Sequence, residues 1–363
     1  MNFNKMHFIN NCADIIVQIA TPYSTGTGFY LKSFDIIITN EHVVRGNKQV
    51  VISGATFEKQ MVAVLHLDTT NDIAFISPPL AHEMPSIELS NLDVIKKGDE
   101  VMAIEVQNKN VTKGKIFDIQ YLNDDIHYIL HDITLNPVNN GGPLYGPDGM
   151  IIGINTFNIH KEKNVGHALP SFFLSSCIKE YKEGKGLKGV RCTSCKKISF
   201  EVEDNPKSNC SLCGVGIRKI SVIKAYEPNG ICITVESLIG RLGYDVSLTR
   251  KGPNNWCIKK GSIDVCISYY EKTGLLVGDV YMCELPENNV SVIYEFLLKQ
   301  NYILDGLTFS IRNNDIILSL LIYDQFINVE TVFTLFTHLL HTSDKYDNIL
   351  IDKYGGKSKR VSI

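Results

Sequence analysis

Asp132-Ile133-Thr134-Leu135-Asn136-Pro137-Val138-Asn139-Asn140-Gly141-Gly142-Pro143-Leu144 is the stretch that decides how this chain folds. Its Asn-Asn-Gly-Gly-Pro core is turn chemistry, and strand-like runs flank it at His127–His131 and Met150–Thr156. Further short runs of the same kind lie upstream: Asp14–Ala20, Gly28–Leu31, Asp35–Thr39, Gln49–Ile52, Met61–Leu67, Ile73–Ser77, Glu100–Val106 and Ile116–Leu122. Strands of this length at this spacing predict an all-β sandwich or a pair of barrels. A polar, Gly-containing stretch at Ser90–Asp99 divides the run into two halves. Helical spacing first appears at Ser171–Tyr181, which suits a helix closing the domain.

Three more segments give the opening stretch its meaning. Gly26-Thr27-Gly28-Phe29 comes first, then Thr39-Asn40-Glu41-His42-Val43-Val44, then Asp72-Ile73-Ala74. In that order, with Asp132–Leu144 and Gly149–Thr156 behind them, they resemble the HtrA/Deg-type branch of trypsin-like serine proteases. Those enzymes show G-S/T-G-F, T-N-x-H-V-V, D-I/L-A and D-x-x-x-N-P-G-N-S-G-G-P-L. The resemblance covers about residues 13–175 and implies a double β-barrel.

The resemblance makes His42 the general base and Asp72 its orienting partner. It aligns Asn140 with the nucleophilic serine. A carboxamide nitrogen has its lone pair delocalised into the carbonyl, so imidazole cannot activate it as it does a hydroxyl. Val138 stands where the family has the glycine that gives the oxyanion hole a backbone N–H, with Asn139 between Val138 and Asn140. A β-branched residue tolerates few backbone conformations. The double departure reads as natural loss of activity, that is, a pseudoprotease; the alternative is an active serine endopeptidase carried here as a Ser-to-Asn variant. Asn140-Gly141 is also a dipeptide prone to succinimide formation. The resemblance places an extended ligand beside Ile152–Phe157, with Ile154, Asn155 and Thr156 as the binding strand. His160 and His167 fall near the wall of the would-be specificity pocket.

Cys192-x-x-Cys195 and Cys210-x-x-Cys213, fourteen residues apart, have the spacing of a zinc ribbon. Four thiolates with no open position predict one structural Zn²⁺ site, not a catalytic one. A segment of this size has too little core to fold alone, so the metal would supply its folding energy. The other six cysteines, Cys12, Cys177, Cys232, Cys257, Cys266 and Cys283, read as core thiols.

Residues 183–190 are charged and Gly-rich and read as a linker between a first domain (1–182) and the ribbon (191–225). Beyond them, 226–352 read as an α+β domain with helices against an antiparallel sheet, and 353–363 as a basic tail. The expected helices are Ile231–Leu242, Val290–Gln300 and Val329–Tyr346. The expected strands are Val246–Arg250, Trp256–Lys259, Ile263–Tyr270, Leu275–Cys283, Thr308–Arg312 and Ile316–Tyr323. That order resembles the type III secretion chaperone-like fold and its bacterial YbjN-type relatives, and the resemblance implies partner binding and a homodimer through this domain.

The chain has 363 residues and a formal net charge of −3, which gives no electrostatic reason to expect nucleic acid or an anionic membrane as partner. No run approaches the roughly 18 apolar residues of a membrane span. The first residues lack a basic segment followed by an apolar run. The expectation is therefore a cytoplasmic adaptor that binds a partner protein in extended form.

Overall fold

The protein is described here by a computed structural model covering residues 9–80, 82–90, 95–104, 111–123, 126–134, 139–156, 165–202, 208–260, 263–288 and 290–357, with the side chains of 120–127 outside that description. The chain divides into two compact units, Met1–Tyr226 and Glu227–Ile363.

In the first unit, β1 (Ile16–Ala20), β2 (Thr25–Leu31), β3 (Ile36–Thr39), β4 (Gln49–Ser53), β5 (Gln60–Asp68) and β6 (Ile73–Ile76) run β5-β4-β1-β2-β3-β6, and β6 pairs back onto β5. The six strands thus form a closed antiparallel ring. Strands such as Ile36–Thr39 and Ile73–Ile76 are buried at every position, because closure leaves no edge and both faces are covered. Six later strands form the second barrel: β7 (Glu100–Ile104), β8 (Val111–Asn123), β9 (Ile126–His131), β10 (Pro143–Tyr145), β11 (Ile151–Thr156) and β12 (Gly166–Pro170), in the order β10-β11-β12-β9-β8-β7. Pairing of Tyr145 with Met102 closes it. The double barrel expected from the sequence is present.

The helix expected at Ser171–Tyr181 spans Ser171–Lys182 and buries Leu174, Cys177, Ile178 and Tyr181. The stretch expected as a linker does not hang free. Its end, with Arg191, forms β13 (Gly189–Arg191), which lies parallel on β5 through Gly189↔His66 and Val190↔Leu67. A hairpin to β14 (Ile198–Phe200) follows, so the cysteine segment extends the sheet of the first barrel.

Two buried groups lock that junction. Arg191 Nε donates to Asp68 Oδ2 at 2.5 Å and its Nη2 lies 2.9 Å from Glu180; Asp68 is fully buried. Removing one partner of a buried pair leaves an uncompensated charge. Arg191→Met is expected to lower stability by about 3–5 kcal/mol, read as a drop in the urea midpoint with unchanged slope. A loss below about 1 kcal/mol, the scale of an exposed pair, would contradict the assignment.

His66 Nδ1 lies 3.0 Å from the Gly189 carbonyl, and burial pushes its pKa from 6.5 down to about 4. His131 in the second barrel is likewise lowered to about 4, chiefly by burial, against the opposing bond to Asn155. The unfolded chain therefore binds more protons between pH 6.5 and 4. The stability owed to these neutral imidazoles is complete above about pH 6.5 and is lost as pH falls toward 4, on the order of 3 kcal/mol per histidine at most. Urea midpoints should fall steadily from pH 7 to 4; a flat profile would contradict it.

The second unit carries α1 (Ile231–Arg241), α2 (Val246–Thr249), β15 (Arg250–Gly252), β16 (Asn255–Lys260), β17 (Ile263–Tyr270), β18 (Leu275–Glu284), α3 (Val290–Ile303), β19 (Leu307–Arg312), β20 (Asp315–Tyr323) and α4 (Val329–Asn348). The sheet is antiparallel, ordered β15-β16-β17-β18-β20-β19. α4 packs Phe336 and Leu339 directly over Gly278, where a Cβ would lie 2.7 Å from the Phe336 ring. The strand expected at Val246–Arg250 is a single helical turn instead. Asp245 caps it, its Oδ1 accepting from the Ser247 N–H at 2.9 Å, and a side-chain cap outweighs the strand preference of Val246.

Candidate functional site

The cleft residues come from both barrels of the first unit. His42 sits in a single helical turn, Glu41–Val44, after β3. Asp72 ends the loop between β5 and β6, where Asp68 Oδ1 accepts from the Asn71 N–H (3.0 Å) and Oδ2 from Asn71 Nδ2 (2.7 Å). That turn delivers Asp72 at φ 53°, a left-handed conformation costly for a non-glycine residue. The carboxylate faces His42: Nδ1 lies 2.8 Å from Oδ2 and 3.0 Å from Oδ1, and the His42 backbone N–H donates to Oδ1 at 3.0 Å. Thr156, at the end of β11, donates its hydroxyl to Asp72 Oδ2 at 2.9 Å. Asn40 Nδ2 donates to the Asp72 carbonyl at 2.9 Å. A carboxylate held from three sides fixes the imidazole and favours its Nδ1–H tautomer.

Asn140 is buried. Its carbonyl accepts the Thr27 N–H at 2.9 Å, which ties the turn to β2 of the first barrel. Gly141 follows at φ 85° and sits so close that a Cβ would lie 2.3 Å from the Thr27 carbonyl oxygen and 2.5 Å from Thr39 Oγ1. Only glycine fits there. The Gly26-Thr27-Gly28 and Gly141-Gly142 motifs are therefore two sides of one close approach. Asn139 accepts the Gly142 N–H at 3.1 Å. Val138 and His160 lie outside the described residues.

Asn155 acts differently from the sequence expectation. Its N–H donates to the Gly142 carbonyl and its carbonyl accepts the Gly141 N–H, both at 2.8 Å; on the other side it pairs with Ala168. Ile154 is likewise held between Pro143 and Leu169. Among the described residues both backbone flanks of Ile154 and Asn155 are taken, so the expected binding strand is corrected at these two; Thr156, the strand's last residue, pairs with His167 on one side. The Asn155 side chain reaches Pro143 O (3.2 Å) and His131 Nε2 (3.2 Å), pinning the turn after Asn140 to β9. Sequence reading gave His131 no role; three strands far apart in the chain bring these groups together. His167 is buried on β12, paired with Thr156 and Leu130.

The four spaced cysteines converge. Their sulfurs all lie within 4.8 Å of one another, with Cys192–Cys213 at 3.6 Å and Cys195–Cys210 at 3.7 Å. A tetrahedron with metal–sulfur bonds of ~2.3 Å has edges of ~3.8 Å. Both knuckles have the same backbone: Lys196 N–H donates to Cys192 O (2.9 Å) and Gly214 N–H to Cys210 O (3.0 Å), and both residues have positive φ, 61° and 76°. Backbone N–H groups of Cys195 and then Ser194 pull the Cys192 thiol down. For Cys210, burial pushes up, but the N–H groups of Cys213 and Leu212 help bring it to about 6. The donor set and its spacing fit a thiophilic divalent ion such as zinc.

Two closed barrels with a His–Asp pair between them define a trypsin-like serine protease domain. In agreement, the model of the Trypsin-like peptidase domain matches residues 26–154. Serine protease HTRA1 of Xenopus laevis is 26% identical over 283 residues, 69% of this chain and 60% of that protein. Serine protease HTRA4 of Mus musculus is 32% identical over 182 residues, 46% of this chain and 36% of that protein. A serine endoprotease of Yersinia pestis gives a TM-score of 0.43 at 21% identity, covering 50% of this chain and 69% of that one. The first unit is thus similar to HtrA-type proteases, and the chain spans about a third to three-fifths of these two relatives' own lengths.

Proposed function

We propose that this chain is a catalytically inactive trypsin-like protein that holds an extended segment of a partner against the cleft between its barrels. Two features support the reading together: the sequence has Asn140 where the family's motif has its serine, and the His42–Asp72–Thr156 network is kept. His42 can still accept a proton, but nothing at position 140 can give one up and attack. What the cleft retains is shape and a strand end at Thr156, which suit a ligand adding as a β-strand. One zinc ion held by Cys192, Cys195, Cys210 and Cys213 keeps the ribbon folded on the first barrel. The second unit, with its chaperone-like element order, supplies the docking surface or homodimer contact, and the protein works in the cytoplasm.

The test is a titration of casein-derived peptides into the isotope-labelled full chain. Backbone amide shifts are expected at Thr156 and His42, and N-methylation of alternate peptide amides should weaken binding by at least about tenfold, as loss of ladder bonds requires. Shifts confined to other regions would overturn the site.

A further inference from the structure

Cys257 and Cys266 are not the core thiols their apolar neighbours suggest. β16 and β17 alternate: Trp256, Ile258, Val265 and Ile267 are buried, while Cys257 and Cys266 stand half-buried on the opposite face. The two cysteines are direct cross-strand partners, and their sulfurs are 2.9 Å apart. The Tyr269 N–H donates to the Asn254 carbonyl at 2.9 Å, so by alternation along the ladder 257/266 is a non-hydrogen-bonded pair. In such pairs the Cα atoms approach to about 4.5 Å, inside the range of about 4.4–6.8 Å that a disulfide spans. The backbone is already where the bond needs it.

We propose that Cys257 and Cys266 form an intrachain redox pair that a hydroperoxide closes to a disulfide. The hydrogen bond to Cys257, chiefly, and burial push the Cys266 thiol up, and the proposed step takes Cys257 as the attacking sulfur. Lys251 favours negative charge at Cys266 and Asp264 opposes it. The Cys257 thiolate attacks the peroxide, giving a sulfenic acid and releasing hydroxide (or alkoxide). Cys266 then displaces water from that sulfenic acid, forming the S–S bond. Two thiols lose two electrons and two protons, and one peroxide is reduced. A dithiol reductant reverses the step.

Selectivity follows from surroundings. Cys12, Cys177 and Cys283 are buried, and burial pushes each thiol up to about 12. The ribbon cysteines are committed to one another. On the same face as the pair, Ser268 donates to Asn255 (2.7 Å) and Lys259 lies opposite Asp264. The disulfide would therefore add a second cross-strand link beside the Ser268–Asn255 bond. Nothing in this assignment depends on the protease-like cleft.

The experiment treats the full, metal-loaded chain with hydrogen peroxide, then alkylates it and maps every cysteine by peptide mass spectrometry. The expected result is one Cys257–Cys266 linkage within a chain and a mass lower by two hydrogen atoms. Alkylation of both residues should fall by at least about tenfold, and dithiothreitol should restore it. In Cys257→Ser no linkage to Cys266 forms and the mass change is lost. Undiminished alkylation of both residues in the oxidised chain, or linkage to other cysteines or between chains, would overturn the assignment.

Discussion

Asn140→Ser alone is expected to hydrolyse casein and to take up a fluorophosphonate probe at least about 10²-fold more slowly than the same change made together with Val138→Gly. The serine hydroxyl would regain an imidazole whose Nδ1 is held at 2.8 Å by Asp72, so deprotonation is not the obstacle. The obstacle is the oxyanion. The family places glycine two residues before the serine, where this chain has Val138, and losing one such donor costs about 10²–10³ in rate. Equal, stoichiometric labelling by the single variant would contradict natural loss and favour an active endopeptidase inactivated at one position.

Removing the zinc ion proposed for the four ribbon cysteines is the change expected to disturb the first unit most. Structural zinc contributes about 10–16 kcal/mol to the folding of small zinc modules, comparable with the whole stability of a domain, about 5–15 kcal/mol. In this chain the damage should spread. Arg191 Nη1 donates to the Lys196 carbonyl inside the first knuckle, while Nε donates to Asp68, whose carboxylate shapes the turn that presents Asp72. A chelator strong enough to strip one zinc per chain should raise hydrogen exchange across 191–219 and, more weakly, in the 68–72 loop. Unchanged exchange in the stripped chain would show that the cysteines do not hold a structural ion.

Most of the barrel strands are legible in the sequence because each is a β-branched run between turns. β10 and β12 are not: they are three and five residues long and contain Pro or Gly, and only distant pairing makes them strands. The same limit explains the groove. Ile154 and Asn155 can be read as strand, but their neighbours on both sides come from elsewhere in the chain. His42, Asp72 and the cysteines were legible because their motifs are local; Thr156 on Asp72 and His131 on Asn155 are contacts between segments far apart in sequence. Cys257 and Cys266 were misread because apolar flanks in a strand face away from the residue they flank.

The most direct measurement incubates the unaltered full chain with a peptide that binds it and weighs both components afterwards. The account predicts that the peptide is recovered intact and the protein mass is unchanged. Cleaved peptide, or an acylated chain, would contradict it.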